Sequence, residues 1–103
     1  AMTVIDVNSG STQGNGKPAS SYLETNLEAC KTIVAQIRLR NLGGIILIDF
    51  IDMDSDEERC VVAEALKESL EADRRKTVVH GWTKLGIIEM TRKRTGAEWE
   101  KAR

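Results

Sequence analysis

The sequence predicts one α/β domain, in the broad α+β sense, with elements in the order β-α-β-α-β-β. The expected sheet is mixed and mostly parallel, backed by two amphipathic helices. Three observations carry this. Short β-branched or aliphatic runs alternate with longer stretches in which apolar residues recur every three or four positions. Strand-helix-strand units of this kind favour parallel pairing through right-handed crossovers. The length of 103 residues, 41% hydrophobic and 30% charged, suits one domain with one modest core.

The first strand is read in "TVIDVN", Thr3 to Asn8, β-branched and ending near Asp6. "SGSTQGNGKPASS" follows, with Gly10, Gly14, Gly16 and the only proline, Pro18, and reads as a flexible loop. It contains neither G-K-[ST] nor G-x-G-x-x-G, so it is no phosphate-cradling loop. A helix is expected from Ser21, where Ser21/Glu24 or Thr25/Glu28 have capping-box spacing. Leu23, Leu27, Cys30, Ile33, Val34 and Ile37 form its apolar stripe. At "NLGG" Gly43 or Gly44 can adopt the left-handed conformation that closes a helix.

"GIILIDF" is the second strand, continuously apolar as a strand covered on both faces should be. Asp54, Ser55 or Asp56 can cap a second helix whose apolar face holds Val61, Val62, Ala65, Leu66 and Leu70. "KTVVHGW" and "LGIIEMT" read as two further strands joined near Thr83-Lys84. Beyond Arg92 the sequence is polar, and a frayed end is expected there. No internal repeat is visible.

Composition excludes several classes. No apolar run approaches the ~20 residues that span a bilayer. The first residues show no basic region leading into an apolar block, the mark of a signal peptide. The net charge of −1 conceals a division. Residues 52 to 73 carry nine acids against Arg59 and Lys67, whereas 74 to 103 carry nine bases against Glu89, Glu98 and Glu100. A basic C-terminal third suits a phosphate-bearing partner; neutralisation by the acidic helix is the plainer alternative. Cys30 and Cys60 stand far apart in apolar patterns, which predicts buried reduced thiols in a cytoplasmic protein and no zinc or redox pair.

Ligands in open α/β sheets bind outside the carboxyl ends of strands. Asp6 and Asp49 fall at or near such ends, on the two strands joined by the first helix. A crossover can bring these strands side by side or one strand apart, so both carboxylates share a rim. Such a pair repels itself unless a cation or proton intervenes, and hard oxygen ligands suit Mg²⁺ or Mn²⁺. Asn8 points to the same side as Asp6 if the strand continues. The plainer roles are a turn residue for Asp6 and helix capping for Asp49 and Asp52. The residues alone leave both readings open.

His80 lies in a predicted strand with no Ser or Cys motif to partner it, and Trp82 reads as a packing or docking residue rather than a base-stacking platform. Arg38 and Arg40 stand where cations complement a helix C-terminus, and can instead meet RNA phosphates or a neighbouring domain. Arg92, Lys93 and Arg94 can grip a phosphate backbone or form a solvated tail.

"VIDVNSG", "TNLEACKTIVAQIRLRNLGGIILIDFIDM" and "LGIIEMTRKRTG" together closely resemble the ribonuclease E/G family of bacterial endoribonucleases. The blocks cover most of the chain in the family's order and spacing. The resemblance implies a Mg²⁺-dependent enzyme that cuts single-stranded RNA, matures ribosomal and transfer RNA and begins messenger decay. Within it, this chain looks like the DNase I-like subdomain. The family's metal-binding aspartates match Asp6 in "IDVN" and Asp49 in "LIDF", and its asparagine near the metal matches Asn8. Asp52 is a candidate for support around that site. Single-stranded RNA, other domains of a longer chain and further protomers are the implied partners; DNA is not. The S1 domain, the 5′-end sensor and the paired-cysteine zinc motif of the family are not among these residues, and Cys30 and Cys60 cannot replace that motif. A non-catalytic RNA-binding or docking module is the competing reading.

Overall fold

The computed structural model describes residues 2–7, 19–53, 55–73 and 76–93. Six elements follow in the expected order: β1 (Met2–Asp6), α1 (Ala19–Leu39), β2 (Gly44–Asp49), α2 (Asp56–Leu70), β3 (Thr77–Trp82) and β4 (Ile87–Arg92). Of the loop expected at 9 to 21, residues 9–18 lie outside the described residues and 19–21 already belong to α1; of the end expected to fray, residues 94–103 lie outside them.

The four strands form one mixed sheet in the order β1-β2-β4-β3. Parallel pairing is confined to β1 and β2; β4 runs antiparallel to both β2 and β3. The expectation of a mostly parallel sheet is therefore corrected. The cause is the short β3–β4 connection, which has room only for a hairpin and none for a crossover helix.

α1 and α2 pack on the same face of the sheet. Ile46 and Ile48 of β2, and Ile88 and Met90 of β4, meet Cys30, Ile33, Val34 and Ile37 of α1 and Val62, Leu66 and Leu70 of α2 in one core. Each fully buried aliphatic side chain contributes about 1.5–3 kcal/mol. On the other face Met2, Val4, Ile45 and Val78 stay exposed, so the described residues cover β2 on one face, not two. Val61 and Cys60 also face solvent, against expectation, because the buried stripe of α2 runs through Val62, Leu66 and Leu70.

The helix ends show what the pattern missed. α1 begins at Ala19, two residues before the Ser21 expected to open it. It closes on Asn41, which takes the left-handed conformation at φ 58, where Gly43 or Gly44 was expected. The Leu42 N–H donates to Ile37 C=O at 3.0 Å and the Asn41 N–H to Arg38 C=O at 3.2 Å, the paired bonds of a Schellman closure. Asparagine tolerates this conformation better than other residues with a Cβ. At the start of α2 the choice among three caps falls on Ser55, whose hydroxyl accepts from the Glu58 N–H at 3.2 Å. Asp56, Glu57 and Glu58 then fill the first turn, where negative charge is favoured.

Candidate metal centre at the carboxyl ends of β1 and β2

Asp6 and Asp49 end adjacent parallel strands and are register partners. Residues opposite each other in a sheet point to the same side. Asp49 alternates with the buried Ile48, so both carboxylates lie on the face away from the helices. Of the two placements open to the sequence, side by side is the one adopted.

Asp52 joins this rim from the segment after β2. That segment is pinned by Asn26 of α1, a completely buried side chain. Its Nδ2 donates to Ile51 C=O at 2.9 Å, and its Oδ1 accepts from the Ile51 N–H at 3.1 Å. Thus a side-chain amide takes the place of a strand partner two residues beyond the end of β2. Phe50, Ile51 and Met53 are buried around it and Asp52 is exposed. The β3–β4 turn lies behind: Gly86 adopts φ +84, and a Cβ there would stand 3.7 Å from Asp52 Oδ1. Conformation, more than space, requires glycine at this position.

The electrostatics agree with the geometry. Asp49 has its pKa raised above the ordinary carboxylate value, first by burial, then by the charges of Asp6 and Asp52. Ionised Asp49 is therefore destabilised, and a bound cation would relieve it. Among the described residues no three His, Cys, Asp or Glu side chains gather closely enough to hold an ion alone. Mg²⁺ commonly takes only one or two protein carboxylates and fills the rest of its shell with water and substrate phosphate oxygens. A carboxylate pair on an open face fits that demand.

The other candidates separate. Asn8 and Arg94 lie outside the described residues. Arg38, Arg40 and Lys93 are exposed but stand at the opposite end of the sheet, where Gly44 pairs with Arg92. Five residue steps along β2, about 17 Å, divide that end from Asp49. Arg92 is corrected outright as a phosphate contact. Its Nε and Nη2 donate to the two Asp73 carboxylate oxygens at 2.6 and 2.9 Å, and its Nη1 donates to Leu42 C=O at 2.7 Å. Both side chains of the pair are almost wholly buried. In β4 it falls on the same face as Ile88 and Met90, the helix-covered one.

His80 is exposed and hydrogen-bonded to the Thr91 hydroxyl at 3.0 Å. Trp82 packs against Phe50 with ring centroids 5.8 Å apart and donates from Nε1 to Arg59 C=O at 3.1 Å, so packing is its role. Asn26 is the residue that pattern reading passed over. Its signal was a polar side chain three residues after Leu23 and four before Cys30, on the apolar stripe itself.

The fold and this rim define the class: an α/β domain presenting paired acids at neighbouring strand ends. The family model "Ribonuclease E/G family" matches residues 1–95. Ribonuclease G of Haemophilus influenzae is 53% identical over 95 residues, and that of Escherichia coli K12 50% identical over 95, each alignment covering 92% of this chain. Ribonuclease E of Synechocystis is 46% identical over 96 residues, 93% of this chain. The chain belongs to the ribonuclease E/G family. It spans 19% of the length of those two ribonuclease G relatives and 14% of the ribonuclease E. No helix among the described residues is long and apolar enough to cross a membrane.

Proposed function

We propose that this chain is the metal-binding catalytic subdomain, DNase I-like in type, of a longer Mg²⁺-dependent endoribonuclease. Its reaction is hydrolysis of phosphodiester bonds in single-stranded RNA, in ribosomal and transfer RNA processing and messenger decay. The observation that carries the reading is the register pairing of Asp6 with Asp49, joined to the burial and, after it, the like charges that raise the Asp49 pKa. Asp6 and Asp49 would hold Mg²⁺, with Mn²⁺ as a substitute. Held there, the ion would supply Lewis-acid chemistry toward a phosphodiester oxygen, a bound water and the leaving 3′ oxygen, and hydrolysis would leave a 5′-phosphate and a 3′-hydroxyl.

The chain's own residues do the positioning. β1 and β2 fix the two carboxylates through a parallel ladder, so their separation does not depend on loop motion. Asn26 holds the Ile51 backbone and thereby keeps Asp52 at the rim, adding negative charge that favours a cation and orients nearby water. Asn8 orients the attacking water or the scissile phosphate. Arg38, Arg40, Lys93 and Arg94 are contacts for phosphates away from the cut. Domains of the parent chain supply further RNA affinity, protomers associate, and the setting is the bacterial cytoplasm.

The test is made in the full-length ribonuclease. Asp6→Asn or Asp49→Asn should lower cleavage on the order of 10³-fold, the worth of several kcal/mol of transition-state stabilisation. RNA affinity should change by less than about threefold, because phosphate contacts elsewhere dominate it. Equal loss of binding, with cleavage per bound RNA preserved, would favour the docking-module reading and remove these acids from catalysis.

A further inference from the structure

Among the described residues the sheet has two edges, and they differ. β3 is irregular: its register with β4 shifts between Val79 and Gly81, leaving His80 as an extra residue. Such bulges blunt an edge against further pairing. β1 pairs with β2 in unbroken register over Met2 to Asp6, with no bulge, proline or glycine. No charged side chain interrupts it before Asp6. Among the described residues this edge lacks the devices that discourage strand addition.

The direction of its peptide groups follows from one bond. The Val7 N–H donates to Asp49 C=O at 3.0 Å. Peptide groups alternate along a strand, so Ile5 and Thr3 also face β2, and Val4 turns its N–H and C=O outward. Beside that outward edge, between β1 and α1, runs a groove of about 480 Å³. Thr3, Val4 and Ile5 form one wall, Ile33 and Leu42 add apolar lining, and Gln36 and Arg40 of the α1 face complete it. The groove thus offers backbone donors and acceptors, apolar contact and a polar lip, the combination that an extended peptide segment uses.

We infer that the edge of β1, which no described strand covers, receives a fifth strand, supplied by the parent polypeptide outside these 103 residues, lying in the groove against α1. The occupant follows from length and tethering. The chain spans 19% of its ribonuclease G relatives, so about four-fifths of such a protein lies outside it. A strand on the same polypeptide is held at high effective concentration beside its edge. The inference rests on the reading of this chain as part of a longer ribonuclease, and it bears on the same site: β1 ends in Asp6. A strand bonded to Val4 would stiffen β1 from its open side and hold Asp6 in register with Asp49.

Amide hydrogen exchange at single-residue resolution tests this, in the full-length ribonuclease and in the 103-residue chain. The Val4 amide should exchange roughly 100-fold or more slowly in the full-length protein than in the chain alone. Equal rates in the two would overturn the inference. Protection in the isolated chain that grows with its concentration would make a second copy the occupant and overturn it equally. The full-length Asp49→Asn variant separates this from the catalytic reading. Val4 protection with undiminished cleavage leaves the strand in place and removes the metal site; lost cleavage without protection does the reverse.

Discussion

The two ends of the sheet handle charge in opposite ways. At the end where β4 finishes, Arg92 is buried, and Asp73 and the Leu42 carbonyl satisfy it. At the other end Asp49 is only partly buried, and its charged neighbours Asp6 and Asp52 have the same sign as itself. The first arrangement completes its electrostatics internally and ties the end of α1 to the residues after α2. The second sets like charges beside Asp49, and a cation would relieve it. A buried ion pair with its hydrogen bonds filled is architecture, and a carboxylate pair of like charge on an open rim is a candidate site.

Mutation should break the two ends differently. Asp73→Ala leaves a buried guanidinium without its carboxylate, and should cost about 3–5 kcal/mol of stability, read by urea denaturation. Domains of this size have only about 5–15 kcal/mol in total, so the variant should be close to unfolding. Asn26→Ala comes next. It strands the Ile51 N–H and C=O in the interior and should cost roughly 2–4 kcal/mol. Because that bond pair fixes the approach to Asp52, cleavage by the full-length enzyme should also fall at temperatures where the variant remains folded.

The acid end should behave in reverse. Asp49 has a folded-state pKa raised above its unfolded value. Its contribution is therefore fully present below the unfolded pKa and is lost as pH rises through the folded one. In metal-free buffer Asp49→Asn should stabilise the chain slightly at neutral pH, and the gain should shrink to nothing at acid pH where Asp49 is protonated. Thermal melts at two pH values check this. A variant that destabilised at neutral pH would show that Asp49 is satisfied internally, as Arg92 is.

Most of the architecture was legible because it rests on periodicity. The stripe from Leu23 to Ile37 and the aliphatic run Ile45 to Ile48 specify one helix and one strand with little ambiguity. The acid rim was legible as well, since Asp6 and Asp49 follow directly from where strands stop. Strand direction was not. Nothing in "KTVVHGW" or "LGIIEMT" states its orientation; only the brevity of Thr83 to Gly86 implies a hairpin. The fate of Arg92 was hidden because its neighbours Lys93 and Arg94 make it resemble part of a basic run, whereas β-alternation with Ile88 and Met90 turns it inward. Asn26 was hidden by the apolar stripe around it. Such polar residues inside apolar patterns are where sequence periods mislead and where tertiary hydrogen bonds decide.

The central claim is that Asp6 and Asp49 form one cation site. The most direct measurement is a Mn²⁺ titration of this chain followed by paramagnetic broadening in NMR spectra, with Asp6→Asn and Asp49→Asn alongside. Saturable broadening centred on Asp6, Asp49 and their neighbours, abolished by either substitution, is the expected result. Broadening that never saturates, or that is centred elsewhere and survives both substitutions, would contradict it.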